Sequence, residues 1–138
     1  MRILALDVGT KRIGVALSDE LLITAQGLDS IYRKDPKADL DTIACLVREN
    51  GVSEVVVGLP VSMNGTYSAK TREVAKFMED LAKAVDVPLK AWDERLTTVQ
   101  AERALLEADT SRARRKKLTD KLAAQLILQG YLDSRKKE

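Results

Sequence analysis

The chain has 138 residues, of which 45% are hydrophobic and 32% charged, the profile of one soluble globular domain with a real core and not of a disordered segment. It contains no histidine, which excludes histidine triads, histidine zinc ligands and histidine general bases, so any catalysis must run on carboxylates, hydroxyls, lysine or a bound metal. The net charge of +2 says little by itself, and the distribution of charge matters more.

The first elements follow one another closely. "MRILALDVG" lacks the apolar core and cleavage site of a secretory leader and reads as a strand that starts almost at Met1. Residues 2–8 and 12–18 are short apolar runs joined by Gly9-Thr10-Lys11, which predicts a hairpin. Residues 22–32 carry Thr, Ile and Tyr and predict a third strand. Asp35-Pro36 opens a helix in which Leu40, Ile43, Ala44 and Val47 recur at helical spacing, with Gly51 just past its end. "SEVVVGLP", residues 53–60, predicts a strand buried on both faces. A loop with Asn64-Gly65 precedes an amphipathic helix through Val74, Phe77, Met78, Leu81, Ala82 and Val85. Residues 87–94 predict a fifth strand, Thr97 or Thr98 caps a helix to about Ala108, residues 109–117 form a basic connection, and a last helix spans 118–134. The order βββαβαβαα predicts an α/β fold, a mixed sheet with helices on both faces, as a single domain over 1–138. No run of about eighteen apolar residues predicts a membrane span. The single Cys45 has no internal disulfide partner, which fits a reducing, cytoplasmic location.

Three groups of acids stand where chemistry can use them. Asp7 closes a strand as apolar as "ILAL", where an unpartnered carboxylate is costly. Asp93 and Glu94 close the fifth strand, and alternation lets only one of these neighbours face a given side. Asp120 shares a helix face with Ala123, Ala124, Ile127 and Tyr131, so it starts the core-facing stripe of the last helix. Like charges brought together raise one another's pKa, and a hard divalent cation such as Mg²⁺ resolves the conflict. Two such ions about 3.5–4 Å apart support phosphodiester hydrolysis without histidine. Each acid also has a purely structural reading. Asp7 can bond its own turn, Asp120 can complement a helix dipole, and Asp93 and Glu94 can pair with Arg95.

The stretches "ALDVGTKRIGVALSD" (5–19), "VVVGLPVSMNGT" (55–66), "DERLTT" (93–98) and "DKLAAQLILQGYLD" (120–133) resemble the YqgF/RuvX family of bacterial ribonuclease H-like proteins, in the family's order and over nearly the whole chain. Its members are described as Holliday junction resolvases and as nucleases for the 5′ end of pre-16S rRNA. The resemblance implies a ribonuclease H-like, five-stranded sheet in the order 3-2-1-4-5. It also implies a catalytic and metal-binding triad of Asp7, Glu94 and Asp120 holding Mg²⁺ or Mn²⁺, and it favours Glu94 over Asp93. Trp92 before "DER" and Lys121 after Asp120 depart from the usual pattern, and neither removes an acid.

Cations border these acids. "SRARRKK", residues 111–117, places five cations in seven residues directly before Asp120. Arg112, Arg114, Arg115, Lys116 and Lys117, with Lys11 and Arg12 in the first turn and Arg95 after the fifth strand, are candidate phosphate contacts. Asn64 adds a hydrogen-bonding group in the loop after the fourth strand. The plain alternatives are a solvated charge run and a capped strand-to-helix turn. Aromatic residues are only 4%, so base stacking is not an evident theme, and Tyr67 and Trp92 are its candidates.

Three functions compete. A metal-dependent nuclease would act on structured RNA, pre-16S rRNA or branched DNA, as a monomer or a homodimer. A nucleotide-binding, kinase-like domain shares "DVGT", but such proteins use two domains and a second phosphate loop. A non-catalytic factor would bind rRNA or pre-ribosomal particles through the same cations.

Overall fold

A computed structural model describes residues 1–60, 68–93 and 112–136, the last helix with its side chains from 121 to 135. The strands are β1 (Arg2–Val8), β2 (Arg12–Ser18), β3 (Ala25–Tyr32), β4 (Val52–Leu59) and β5 (Leu89–Asp93), and the helices are α1 (Pro36–Glu49), α2 (Ala69–Ala84) and α3 (Arg112–Lys136). They build a five-stranded sheet in the order β3-β2-β1-β4-β5, as expected. β2 runs antiparallel to β1 and β3, while β4 runs parallel to β1 and β5.

The alternation of β1 distributes its side chains between two cores. Leu4, Leu6 and Val8 join Ile13, Val15, Val55 and Val57 under Ile43 and Val47 of α1 and Val74, Phe77 and Leu81 of α2. Ile3 and Ala5 join Ala16, Ala25 and Val56 under Ala124, Ile127, Leu128 and Leu132 of α3. The α3 face is lined by small residues, which lets the helix lie close. A Cβ placed on Gly27 would stand 2.7 Å from Lys121 Cγ and 3.2 Å from the Lys121 carbonyl oxygen. The hairpin turn has its own requirement for glycine: Gly9 N donates to Arg12 O at 2.8 Å, and a Cβ at Gly9 would lie 2.6 Å from that oxygen.

The helix starts follow sequence chemistry. Asp35 caps α1 by accepting from Ala38 N at 2.9 Å, with Pro36 in the first turn. Ser68 caps α2 in a reciprocal pairing with Thr71. At the far end of the sheet, Glu54 is buried and 8% exposed. Its carboxylate accepts from the Tyr131 hydroxyl and pairs with Arg135 Nη1 at 3.1 Å, which ties α3 to β4.

Several boundaries differ from expectation, β4 by one residue (Val52–Leu59 against 53–60) and the last helix by its end at Lys136. β3 begins at Ala25 and not at 22, because Asp19 Oδ1 accepts from Ile23 N (2.7 Å) and Thr24 N (3.0 Å) and holds 19–24 in a turn, with Leu22 at a φ of 59°. β5 covers Leu89–Asp93, inside the expected 87–94, since its register with β4 starts at Val55↔Leu89. Residues 112–117, expected as a connection, are the first turns of α3: Arg, Lys and Ala are good helix formers, and no Gly or Pro interrupts them. The helix expected from Thr97 or Thr98 to Ala108 lies outside the described residues.

Candidate active site

Asp7 is the next-to-last residue of the central strand and is half-buried. Its neighbours Leu6 and Val8 enter the core under α1 and α2, so alternation places Asp7 on the α3 side with Ile3 and Ala5. Its cross-strand partner on β2 is Gly14. On β4, Leu6 pairs with Val57, and Gly58 follows. The carboxylate is therefore flanked in the sheet by glycines on both sides, so neighbouring strands raise no side-chain wall beside it.

The path of α3 brings its N-terminal half to the same level. Lys121 Nζ lies 4.0 Å from Asp29 Oδ1, in the irregular step of β3 across from Gly14. Further along, Gln125 Nε2 donates to Ala25 O at 3.1 Å, and Tyr131 and Arg135 reach Glu54 at the opposite end. The helix thus runs from the level of Asp7 toward the start of β1. Position 120 precedes Ala123 and Ala124, both buried on the sheet, by one turn.

At the end of β5, Leu89 packs with the α1/α2 core and Trp92 with the α3 core. Asp93 is in phase with Leu89 and stands on the sheet face opposite to Asp7. Trp92 packs edge-on to Tyr131 (6.0 Å, 90°) and against Gly130, so it is a packing residue.

Of the expected cations, Lys11 is exposed in the first turn, and Arg12 is half-buried with its guanidinium 6.0 Å from the centre of the Tyr32 ring. Arg112, Arg114, Arg115, Lys116 and Lys117 fall on the first turns of α3. Their side chains, and that of Asp120, lie outside the described residues, as do Asn64, Tyr67, Glu94 and Arg95 entirely. Among the described residues, no three acids converge as a metal-binding group. Asp7 offers hard oxygen donors of the kind Mg²⁺ and Mn²⁺ prefer, between glycines of the neighbouring strands, and it fits such an ion.

The same end of the sheet holds residues the sequence did not single out. Arg33 Nη1 donates to Gly9 O (2.9 Å), its Nε meets Asp39 Oδ2 (3.5 Å), and it lies 5.8 Å from the Phe77 ring centre. It clamps the first turn to α1. Tyr32 and Lys34 flank it and are exposed. The sequence signal was "IYRK", an aromatic next to two cations just before a capped helix.

The chain matches the family described as "RuvX: Holliday junction resolvase" over residues 1–134. It is 56% identical over 135 residues to a protein of Symbiobacterium thermophilum named "Putative pre-16S rRNA nuclease", covering 98% of this chain and 94% of that one. A Clostridium novyi protein of the same name is 52% identical over 134 residues, covering 97% and 99%. Among solved structures, Thermus thermophilus RuvC in complex with a Holliday junction substrate superimposes with a TM-score of 0.63 at 16% identity, covering 99% of this chain and 96% of that one. A fowlpox virus resolvase bound to Holliday junction DNA gives 0.60 at 12% identity, covering 98% and 99%. These likenesses show the fold, which is the ribonuclease H-like one.

Proposed function

The chain belongs to the RuvX family, and from that premise we propose that it is a metal-dependent nuclease that hydrolyses phosphodiester bonds in the maturation of the 5′ end of pre-16S rRNA. The observation that carries the proposal is the placement of Asp7. It stands near the end of the central strand between Gly14 and Gly58, on the face covered by α3, at the level where the N-terminal half of that helix arrives.

Asp7, Glu94 and Asp120 are the proposed catalytic acids and the ligands of Mg²⁺ or Mn²⁺. Asp93 stands on the wrong face to join Asp7. One further residue of strand alternation returns to the Asp7 face, which favours Glu94. Helical periodicity from Ala123 and Ala124 back to 120 favours Asp120 as the third acid. A bound divalent ion would supply an activated water and charge neutralisation at phosphorus. Asp7, Glu94 and Asp120 would supply the oxygens that hold it, and the glycines beside Asp7 in the sheet would leave room for the scissile phosphate. Lys11, Arg12, Asn64, Arg95 and the cations from Arg112 to Lys117 would bind the nucleic-acid backbone without reading sequence. The single domain would work in the cytoplasm on RNA within pre-ribosomal particles, as a monomer or homodimer.

The family description favours a second reading, cleavage of four-way DNA junctions. Both are tested by offering the purified chain a pre-16S 5′-leader RNA, a single-stranded RNA and a four-way DNA junction with Mg²⁺ or Mn²⁺. Metal-dependent cleavage, lost by a factor of at least about 10² in Asp7→Asn and Glu94→Gln, is expected, with the leader RNA preferred. Preference for the junction selects the resolvase. Equal background in wild type and variants refutes catalysis and leaves a non-catalytic rRNA-binding factor.

A further inference from the structure

A cleft of about 560 Å³ opens beside the first turn, between Thr10-Lys11, Tyr32-Arg33-Lys34 and the start of α1. Tyr32 ends the edge strand β3 and is 60% exposed, an unusual position for a tyrosine that contributes nothing to either core. Its cross-strand partner is Arg12, whose guanidinium lies 6.0 Å from the ring centre. That contact holds the ring in place and enriches the site in positive charge.

The acids at the cleft are engaged within the protein. Asp35 caps α1, and buried Asp39 accepts from Arg33 Nε and Lys34 N. Lys11, Arg33 and Lys34 outnumber these two acids in the cleft lining, and both lysines are exposed. The two sides of the floor are tied together, because Arg33 N also donates to Lys11 O at 2.9 Å. Ile13 and Ile31 point into the α1/α2 core, so Arg12 and Tyr32 share the Asp7 face of the sheet. From Asp7, Tyr32 is two strands sideways and about two residues along, on the order of 12 Å. That is roughly three to four nucleotides at a stacked rise of ~3.4 Å.

We infer that Tyr32, backed by Arg12 and flanked by Lys11 and Lys34, is a stacking platform for an unpaired base of the nucleic-acid strand, a few nucleotides from the bond at Asp7. A flat exposed ring beside cations is the combination that binds single strands without sequence preference. The inference rests on the nuclease reading for its meaning, but its test does not need cleavage.

Binding is measured by fluorescence anisotropy in EDTA, with a labelled unpaired RNA hexamer, the same sequence as DNA, and each annealed to its complement. Tyr32→Ala is expected to weaken binding of the unpaired strand about five- to a hundredfold, while Tyr32→Phe stays within about twofold. Tyr32→Ala should leave the salt dependence of binding unchanged, whereas Lys34→Ala should lower its slope by about one. Dependence on Tyr32 with either unpaired strand supports the platform and tells which strand it serves. Dependence with neither, or an equal loss on the duplexes, overturns it. Because Tyr32 is exposed, unchanged melting of Tyr32→Ala checks that the fold is intact. A failure of the nuclease reading would appear in the metal-dependent cleavage assay and leave these titrations interpretable.

Discussion

Tyr131→Phe removes one oxygen and tests how α3 is fastened to the sheet. The Tyr131 hydroxyl donates to Glu54, a carboxylate only 8% exposed, whose other oxygen holds Arg135 at 3.1 Å. The ring itself stays against Trp92 in the variant, so the change isolates the hydrogen bond. A hydrogen bond to a charged, buried acceptor contributes about 1.5–3 kcal/mol. For 138 residues, an unfolding entropy of about 2.1 cal/mol/K per residue gives roughly 0.3 kcal/mol/K, so Tm should fall by about 5–10 °C. The urea midpoint should fall in step, with an unchanged m-value. Glu54→Gln should cost less, because the amide oxygen still accepts from Tyr131 and Arg135 can turn to water. The double variant should be less than additive, since the two share a network. A loss below about 0.5 kcal/mol in Tyr131→Phe would refute the reasoning, since that is the scale of an ordinary surface change.

The same tyrosine predicts an alkaline limit. Burial first, and the bond to Glu54 second, raise its pKa above the ordinary 10.0, so its contribution is complete below pH 10 and is lost as pH rises through the raised value. Urea midpoints measured from pH 9 to 11 should fall in the wild type and be flatter in Tyr131→Phe. At the acid end, the Thr24 amide above all holds Asp19 below its ordinary 3.8. That contribution is present above pH 3.8 and fades as pH falls below it, so Asp19→Ala should lose less stability than wild type between pH 5 and 3. Ile127→Ala, at a fully buried position of α3, should cost about 2–5 kcal/mol by chemical denaturation. Gly27→Val should push α3 away at Lys121, costing roughly 1–3 kcal/mol and lowering metal-dependent cleavage if Asp120 serves the site.

Much of the scaffold was legible because local signals agreed with burial. The apolar runs of β1, β2 and β4 are buried strands, and Asp35-Pro36 opens α1 as a capping pair should. The start of β3 was not legible, since β-propensity at Ile23 and Thr24 lost to a side chain several residues earlier, the Asp19 carboxylate. The basic run before Asp120 resembled a loop by charge, although its residues favour helix by backbone preference. Residue pattern alone does not separate adjacent Asp93 and Glu94, whereas the packing of Leu89 and Trp92 puts Asp93 on the face opposite to Asp7. Tyr32 escaped notice because its setting comes from pairing with Arg12, twenty positions away, and no local pattern encodes that.

The glutamines of α3 have a consequence for association between molecules. β3 is an outer strand, and such a strand can template the addition of a foreign one. At its first residue that opportunity is closed. Ala25 N donates to Gln129 Oε1 at 3.0 Å, and Ala25 O accepts from Gln125 Nε2 at 3.1 Å. A side-chain amide pair there imitates the next strand of the ladder. An incoming chain would have to displace two formed hydrogen bonds to begin pairing at this point. The helix proposed to carry a catalytic acid at one end thereby opposes strand addition at Ala25 near the other.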